Sequence, residues 1–561
     1  MQNRIPFRFF SRTPSIRISV LLVVGLLLFA SSGKAQQPHR YPIIPRPAKL
    51  TEKPGTFFIT PNTKVYVKGG GPEIEKVADN FKTQLRETTG FSLQATSAPG
   101  KNAIAFIVDA SIQEREGYRL SITNKNITLA FKTAPGAFLG VQTIRQLLPA
   151  SPTGKKVPLP AVEIEDAPQF GYRGFMLDVA RHFQPLDFLK RYVDLLAFYK
   201  VNTFHLHLTD DQGWRMEIKK YPKLQEISAW RKETRVGHRR DEQVLFDGKP
   251  HGGYYTQEQL KELVAYAQER FITIIPEIDM PGHSQAVLAA YPELGCKDTT
   301  YQVSTSWGVH KDVYCPNPAT FQFLEDVLTE VIAIFPSKYI HIGGDEVPKD
   351  RWKESAYAQS LIKEHNLKDE NGLQSYFMRR MEDFMISKGR SIIGWDEIME
   401  GGVSKTATVM SWHMGQVGAA ARGGNDEIMV ANAHLYFDYY QTKEGRKREP
   451  VAIGNFLPLE KVYAFNPIPQ DLDAAAAKRV LGVQANLWTE YVPTAAHAEQ
   501  MTFPRLCALA EIAWAAPERK NYADFIQRLG QNLKHLDKLK VNYAKYYLEQ
   551  LPTAPETKQP N

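Results

Sequence analysis

Apolar and β-branched runs alternate with helix-period segments along most of the chain from Gly171 onward. Eight of these runs have the length and composition of buried strands: Arg173–Val179, Val201–Leu208, Phe271–Ile278, Tyr339–Gly343, Ser391–Trp395, Thr406–Trp412, Ile428–Asn432 and Val480–Leu487. Helical patterns lie between several of them, at Leu186–Tyr199, Gln257–Glu269, Ala319–Phe335 and Leu373–Lys388. Repeated strand-helix alternation predicts an α/β fold, a parallel (β/α)8 TIM barrel with its helices outside. A doubly wound open sheet is the alternative.

The residues before this barrel show a different mixture. Strand patterns occur at Thr63–Val67, Ala103–Val108, Tyr118–Thr123 and Ile127–Phe131, and helical patterns at Lys76–Thr88 and Ala137–Leu148. Short strands mixed with helices predict a small N-terminal α+β domain over residues 36–168. The stretch 151–160, rich in Pro and Gly, is interpreted as a turn or linker. The catalytic barrel and its C-terminal helices then cover 169–545, and the polar residues 546–561 form a flexible tail.

The first 35 residues have the pattern of an export signal peptide. Four arginines precede the apolar run Ile18–Ala30, and Gly33 and Ala35 supply small residues for cleavage after Ala35. An uncleaved anchor is the alternative. Cleavage predicts an exported protein, periplasmic or secreted, without a membrane contact once the leader is removed.

Net charge and composition exclude some partners. Cleavage removes five basic residues and no acidic ones, so the formal charge falls from +8 to +3. The remaining chain has no Lys/Arg cluster of the size that nucleic-acid binding needs. The hydrophobic content of 43% is that of a folded globular protein, and the sequence does not predict an oligomeric state.

The chain contains three cysteines. Export permits a disulfide, and Cys296 and Cys315 lie 19 residues apart in a polar stretch, so we expect a disulfide between them. Cys507 lies within an apolar helical pattern and is interpreted as a buried free thiol.

Polar and aromatic residues follow the predicted strands at their carboxyl ends, where barrels of this type carry active sites. Asp345 and Glu346 follow two glycines, which end the pleat where both acids can face one pocket. Taken alone, this pair could equally be a solvated loop. The first strand is flanked by Arg173 and carries Asp178, Arg181 and His182 at its end. The remaining strands end, in chain order, at Thr209–Arg215, Glu277–His283, Trp395–Glu397, Trp412 and His413, Tyr436 and Asp438, and Trp488–Glu490.

The composition of this ring restricts the ligand. Tryptophans and tyrosines cover C–H surfaces, and carboxylates with an arginine bind hydroxyls, so the ring suits a neutral sugar. The sequence has no Walker-type or dinucleotide-binding fingerprint. We therefore expect a sugar as the ligand and no cofactor.

Four blocks resemble family 20 glycoside hydrolases, the β-N-acetylhexosaminidases: Arg173–His182, His205–Arg215, Pro276–His283 and His341–Glu346. The resemblance runs from about Tyr41 to about Ala516 and includes Ile44–Pro47, which looks like the start of that family's N-terminal domain. It implies an exo-acting, retaining enzyme that removes terminal β-linked N-acetylglucosamine or N-acetylgalactosamine.

The resemblance also implies the catalytic roles. Glu346 is the expected general acid and base, which calls for a pKa raised toward neutrality. The family is an exception to the scheme of two catalytic carboxylates, because the 2-acetamido oxygen of the substrate attacks C1 and forms an oxazolinium. Asp345 is then expected to orient the acetamido N–H and to offset its developing charge.

Further roles follow from the same resemblance. His283 and Asp210, supported by Asp279, are expected to tune Glu346; the sequence leaves open whether Asp210 or Asp211 points inward, and we choose Asp210. The acetamido group of the substrate is expected to bind in a pocket formed by Trp395, Trp412, Trp488 and Tyr436. The sugar hydroxyls are expected to bind to Arg173, Asp438 and Glu490.

Other interpretations remain. His205 and His207 lie on one strand face, where a pair of histidines can bind a metal; we interpret them as core histidines and expect no metal. A metal-dependent barrel hydrolase and a carbohydrate-binding protein without catalysis are the alternatives from other classes. Within the family, the release of a disaccharide (lacto-N-biosidase) and sulfated-sugar specificity are open, as is the choice between the two amino sugars.

Overall fold

A computed structural model describes residues 39–98 and 100–550. The predicted signal peptide, 1–35, lies outside the described residues, as does 551–561 of the predicted tail. The first part of that tail, Tyr546–Gln550, forms a 3-10 turn. Within the described ranges, no helix combines the length and apolar character needed to cross a membrane.

The N-terminal domain is a seven-stranded mixed sheet with helices α1 (Gly71–Thr89) and α2 (Ala134–Leu147). Its strands are β1 (Lys49–Ile59), β2 (Lys64–Lys68), β3 (Gln94–Thr96), β4 (Ala103–Val108), β5 (Tyr118–Ile122), β6 (Ile127–Phe131) and β7 (Val157–Asp166), in the order β1-β7-β5-β6-β4-β2-β3. All four strands and both helices predicted here are present, as members of this sheet and its two helices.

Three strands of this sheet, β1, β3 and β7, were not predicted. β1 pairs antiparallel with β7, whose first residues, 157–160, lie in the stretch interpreted as a linker, so that interpretation is wrong there. β1 is mostly exposed, and its sequence KLTEKPGTFFI lacks an alternation of apolar and polar residues. β1 is a strand because it pairs with β7, which is far away in the sequence, and not because of a local sequence pattern.

Eight parallel strands close the barrel, which confirms the predicted fold over the open sheet. Around it run β8 (Tyr172–Asp178), β9 (Thr203–His207), β16 (Thr273–Glu277), β17 (Tyr339–His341), β18 (Ser391–Trp395), β19 (Thr408–Ser411), β20 (Glu427–Met429) and β21 (Val480–Leu487). Between β9 and β16 lie short pairs: β10 (Thr209–Asp210), β11 (Gly213–Trp214), β12 (Trp230–Arg231), β13 (Arg235–Val236), β14 (Leu245–Phe246) and β15 (His251–Gly252). Several barrel strands end a residue or more before the predicted boundary, where the chain turns into the loops of the site.

Helices pack outside the barrel and after it. They are α3 (Leu186–Phe198), α4 (Gln257–Gln268), α5 (Gln285–Ala290), α6 (Pro318–Ile334), α7 (Asp350–Glu354), α8 (Ala356–Glu364), α9 (Glu370–Ser387), α10 (Ala419–Gly423), α11 (Asn432–Leu435), α12 (Leu459–Ala464), α13 (Ala474–Ala477), α14 (Ala495–Thr502), α15 (Arg505–Trp514) and α16 (Tyr522–Lys538). α4 shows how the sequence sets such a helix: Thr256 and Gln259 form a reciprocal capping box at its start. Leu260, Leu263 and Ala267 then bury one face at helical spacing.

The three cysteines are free thiols, so the predicted disulfide between Cys296 and Cys315 is absent. The two thiols instead interact as a hydrogen-bonded pair, and this interaction raises the pKa of Cys296 and lowers that of Cys315. Cys507 is fully buried on α15, as predicted, and burial raises its pKa to about 12.

Candidate active site

The loop after β17 presents Asp345 and Glu346 at the carboxyl end of the barrel. Gly343 and Gly344 have φ of 67° and 100°, in the left-handed region that glycine adopts without strain. A Cβ on Gly343 would lie 1.6 Å from Oδ1 of Asp279, so only glycine fits there. The two carboxylates end in different surroundings: the side chain of Asp345 is 12% exposed and that of Glu346 is 44% exposed.

His283 connects this pair to the loop after β9. Its Nδ1 lies 3.1 Å from Oδ2 of Asp211 and 3.3 Å from Oδ1 of Asp210. Its Nε2 lies 3.6 Å from a carboxylate oxygen of both Asp345 and Glu346. His283 therefore stands between two pairs of carboxylates.

Both aspartates reach His283, but Asp210 has the wider network. Oδ2 of Asp210 also lies 2.7 Å from Arg181 Nη2 and 2.9 Å from His207 Nε2. Asp211 instead accepts the backbone N–H of Gln285. The structure thus brings the chosen Asp210 into the site, with Asp211 beside it.

The charges in this network are set by burial and by neighbouring ions. Burial opposes ionisation of His283, but Asp210 and Asp211 outweigh it and raise the pKa of His283 well above its ordinary value. Burial likewise opposes the charge of Asp210, but Arg181 and His283 hold its pKa well below the usual range. His283 is therefore a cation facing Glu346.

Glu346 differs from the sequence expectation in this unliganded site. Burial raises its pKa, but contact with the His283 cation outweighs burial, so the pKa of Glu346 lies below its ordinary value. The expected shift toward neutrality is absent here.

Asp345 and Asp279 form the buried wall of the site beside Glu346 and His283. Burial raises the pKa of Asp345 to about 6, with Glu277 and Glu346 adding to it and His283 opposing. Burial and the charge of Asp345 also raise the pKa of Asp279. Oδ1 of Asp345 and Oδ2 of Asp279 are buried with no hydrogen-bond partner among the described residues.

Aromatic side chains from the segments that follow four barrel strands form one cluster at the carboxyl end of the barrel. Trp395 is fully buried, and its Nε1 donates to Oε1 of Glu277 at 2.8 Å. Trp412 stacks on Tyr436, with ring centroids 6.0 Å apart and an interplanar angle of 22°. Trp488 lies 5.8 Å from Trp395 and 6.3 Å from Tyr436 by ring centroids. The predicted aromatic group is thus gathered in one place.

Asp438 and Glu490 lie on the same side as Arg181. Burial and their mutual charge raise the pKa of Asp438; burial also raises that of Glu490, which Arg181 opposes. Arg181 donates to Asp178 and Asp210 and lies over the ring of Trp488, 5.1 Å from its centroid. This is a buried guanidinium among carboxylates at the carboxyl end of β8.

The structure corrects the assignment of Arg173. Arg173 is the second residue of β8, so it lies at the amino end of the strand, opposite the site. Its guanidinium pairs with Glu116 at 2.7 Å and donates to the carbonyls of Lys200 and Phe170. A seven-residue strand is about 20 Å long, so Arg173 cannot grip a ligand at the other end.

The sequence pattern singled out Arg181 and Glu277 near strand ends but gave neither residue a role. Arg181 could have been recognised because it directly follows the strand end. Glu277 accepts from Trp395 and from His207 Nδ1 at 2.5 Å, while His207 Nε2 reaches Asp210. His205 and His207 are fully buried, as interpreted, and both contact Glu277.

Several buried clusters have the residue types of metal ligands. Among the described residues, His205, Glu277 and His341 offer atoms within 4.8 Å of one another, as do Asp279, His283 and Asp345. In the first cluster, Glu277 lies 3.1 Å from His205 and 3.0 Å from His341. Burial lowers the pKa of His205 to about 4, so Glu277 faces a neutral imidazole there.

The closed parallel barrel brings a carboxylate pair and a cluster of tryptophan and tyrosine rings together at its carboxyl end, an arrangement that suits a glycoside hydrolase. The chain belongs to glycosyl hydrolase family 20. Residues 170–517 match the family's catalytic domain, and residues 40–167 match its domain 2.

Relatives and solved structures agree. A β-hexosaminidase of Porphyromonas gingivalis is 43% identical over 535 residues, which cover 92% of this chain and 67% of the relative. A β-hexosaminidase of Vibrio furnissii is 38% identical, covering 83% and 76%. The crystal structure of a family 20 exo-β-N-acetylglucosaminidase from Vibrio harveyi with N-acetylglucosamine superposes with a TM-score of 0.80 at 33% identity, covering 91% of this chain and 79% of that one.

Proposed function

We propose that this chain is an exo-acting, retaining β-N-acetylhexosaminidase that works by substrate-assisted catalysis through an oxazolinium intermediate. Glu346 protonates the glycosidic oxygen and later activates water. Its greater exposure suits this role, because the leaving group and the water reach it from the open side. The names of the relatives support the same activity.

One observation carries the mechanism: Asp345 is buried and its Oδ1 has no partner among the described residues. An unpaired buried carboxylate oxygen beside an aromatic pocket is placed to accept the N–H of a 2-acetamido group. This contact turns the acetamido oxygen toward C1 and offsets the charge that develops on the ring. The nucleophile then belongs to the substrate.

The surrounding residues hold the sugar in this pose. Trp395, Trp412 and Trp488 wall the acetamido group, and the hydroxyl of Tyr436 donates to its oxygen. Arg181, in place of Arg173, binds the hydroxyls on the far side of the ring. These assignments rest on the position of each residue at a strand end. Asp438 and Glu490 take the remaining hydroxyls.

Substrate binding supplies what the free site lacks at Glu346. A sugar on the tryptophans displaces water from the carboxyl group and deepens its burial, which raises the pKa of Glu346 toward the range a general acid needs. His283, held by Asp210 and Asp211 and bordered by Asp279, sets the starting value.

The wider setting follows from sequence. We propose that the leader directs export to the periplasm or beyond, that the partner is a glycan or chitooligosaccharide, and that the reaction uses no metal or cofactor. The shapes of the loops around the carboxylates decide between release of a monosaccharide, release of a disaccharide and action on sulfated sugars. A panel of aryl β-GlcNAc, β-GalNAc and lacto-N-bioside substrates distinguishes these specificities.

The test is Glu346→Gln, assayed on aryl β-GlcNAc substrates with a poor and a good leaving group. We expect kcat/KM, which reports the first step, to fall about 10²–10⁴-fold for methylumbelliferyl and much less for dinitrophenyl, because only the poor leaving group needs an acid in that step. Glu364→Gln, an exposed position on α8, is the matched control and keeps wild-type rates. Full activity of Glu346→Gln on the poor leaving group would contradict the acid role. A thiazoline mimic of the intermediate should inhibit strongly, and weak inhibition would refute the acetamido mechanism.

A further inference from the structure

Glu397 is a further acidic residue close to the catalytic pair. It lies in the 3-10 turn Asp396–Met399 that follows β18. Its Oε2 accepts from Nε1 of Trp412 at 3.0 Å, and its Oε1 accepts from the backbone N–H of Glu346 at 3.4 Å. One carboxyl group therefore touches both a wall of the pocket and the loop that carries the general acid.

We propose that Glu397 is a positioning residue for the reaction: it fixes the backbone of Glu346 and the ring of Trp412 relative to each other. This inference rests on the proposed function, because it assigns Glu397 to the acid and to the acetamido wall.

The backbone at Glu346 needs such a contact. Its φ is 44°, a left-handed conformation in a residue with a side chain, following two left-handed glycines. A non-glycine residue in this region costs about 1–2 kcal/mol, so surrounding contacts must hold it. The hydrogen bond from its N–H to Glu397 is one such contact and ties the orientation of the acid to β18.

Trp412 is held by the same turn at two points. Asp396 accepts its backbone N–H at 3.1 Å, and Glu397 accepts its indole N–H. The ring is thereby set parallel to Tyr436, within the aromatic group that walls the pocket. Asp396 fixes the backbone of Trp412, so the specific contribution of Glu397 is the plane of the ring.

The protonation state of Glu397 agrees with this arrangement. Burial raises its pKa to about 9, and the charges of Asp345 and Asp396 add to this, while the bond from Trp412 opposes it. The carboxyl group is then neutral near pH 7 and adds no further negative charge beside Asp345. The ionisable groups around it are Asp345 and Glu346 from the loop after β17, Asp396 and Glu400 from its own turn, Lys349 near α7 and His413 after β19.

The experiment compares Glu397→Ala and Glu397→Gln, with Glu400→Gln as the matched control at an exposed position of the same segment. Each is assayed on methylumbelliferyl and dinitrophenyl β-GlcNAc. We expect Glu397→Ala to lower kcat/KM about 10²-fold for the poor leaving group and only several-fold for the good one, because a displaced acid slows the first step only where protonation is needed. The KM for both substrates should rise as the ring of Trp412 loosens.

Glu397→Gln keeps the size and neutrality of the group and one acceptor oxygen, so we expect it to recover about tenfold of the lost rate. Glu397→Gln cannot ionise, so we expect the wild type to lose activity as Glu397 ionises near pH 9 and the variant to keep its activity to higher pH. Equal losses for the two leaving groups, or a Glu397→Gln variant as poor as Glu397→Ala, would overturn the positioning role. Glu346→Gln, run in parallel, separates the two proposals: if it loses the poor substrate while Glu397→Ala does not, only the role of Glu397 fails.

Discussion

The two ends of β8 carry two buried arginines in opposite circumstances. At the amino end, Arg173 pairs with Glu116 of the N-terminal domain and fills its remaining donors with backbone carbonyls. At the carboxyl end, Arg181 lies among Asp178, Asp210 and the more distant Glu490. The first arginine joins two domains, and the second lies in the site.

The difference teaches how to separate structural from functional charge. A guanidinium and a carboxylate that satisfy each other between rigid elements form a closed contact. In the site, carboxylates outnumber cations. One buried oxygen each of Asp345, Asp279 and Asp438 has no hydrogen-bond partner within the part of the chain that the structure describes, so this cluster is open to a ligand. Residue type and burial are the same at both ends, so only the balance of partners distinguishes them.

The largest expected effect comes from exchanging the arginines for lysine. Arg181→Lys loses the planar fork that serves two aspartates and the sugar hydroxyls, so we expect kcat/KM to fall about 10³-fold, about 4 kcal/mol. Arg173→Lys is the matched control and should keep kcat/KM within about threefold, since its position is about 20 Å from the chemistry. Steady-state kinetics on one aryl substrate measures both. The reverse ranking would return Arg173 to the substrate.

The amino end should respond in stability instead. Glu116→Gln leaves the buried Arg173 without its carboxylate, and we expect the free energy of unfolding to fall by about 3 kcal/mol. Denaturant unfolding measures this, with kcat as the second readout. Glu114→Gln, on the same segment but exposed, is the control. Unchanged stability would mean that this pair does not hold the domains together. A large loss of kcat would mean that the amino end of β8 also contributes to activity.

Particular residues show how much of the fold and of the site can be predicted from the sequence. The barrel followed from strand-helix alternation, and Asp345 and Glu346 followed from glycines at a strand end, because both signals are local. The carboxyl-end rule also placed Trp395, Trp412, Tyr436 and Trp488 together. Chain order alone therefore gathers most of the site.

The remainder depends on geometry that no local pattern encodes. Arg173 and Arg181 lie in one motif, and choosing between them requires the exact point where the strand begins and ends. Glu397 and Glu277 act through contacts with residues far away in sequence, such as Glu346 and His207. The pKa of Glu346 depends on the His283 cation, which depends in turn on two aspartates from another strand. These are sums of long-range contacts.

The pH dependence of activity and stability is a smaller effect that also distinguishes the two ends of β8. Asp345 must be ionised to offset the charge on the oxazolinium, and its pKa is about 6 because of burial and the nearby Glu277 and Glu346. We therefore expect kcat/KM to fall about tenfold for each pH unit below 6. Stability should move the other way: the folded state holds the Asp345 proton more tightly than the unfolded state, so this residue adds to the free energy of unfolding as pH falls from about 6 toward 3.8. Asp345→Asn should lack both the acidic limb and this gain, whereas Glu116→Gln at the opposite end should keep both. An acidic limb near pH 4 in the wild type would show that Asp345 is not the group that titrates.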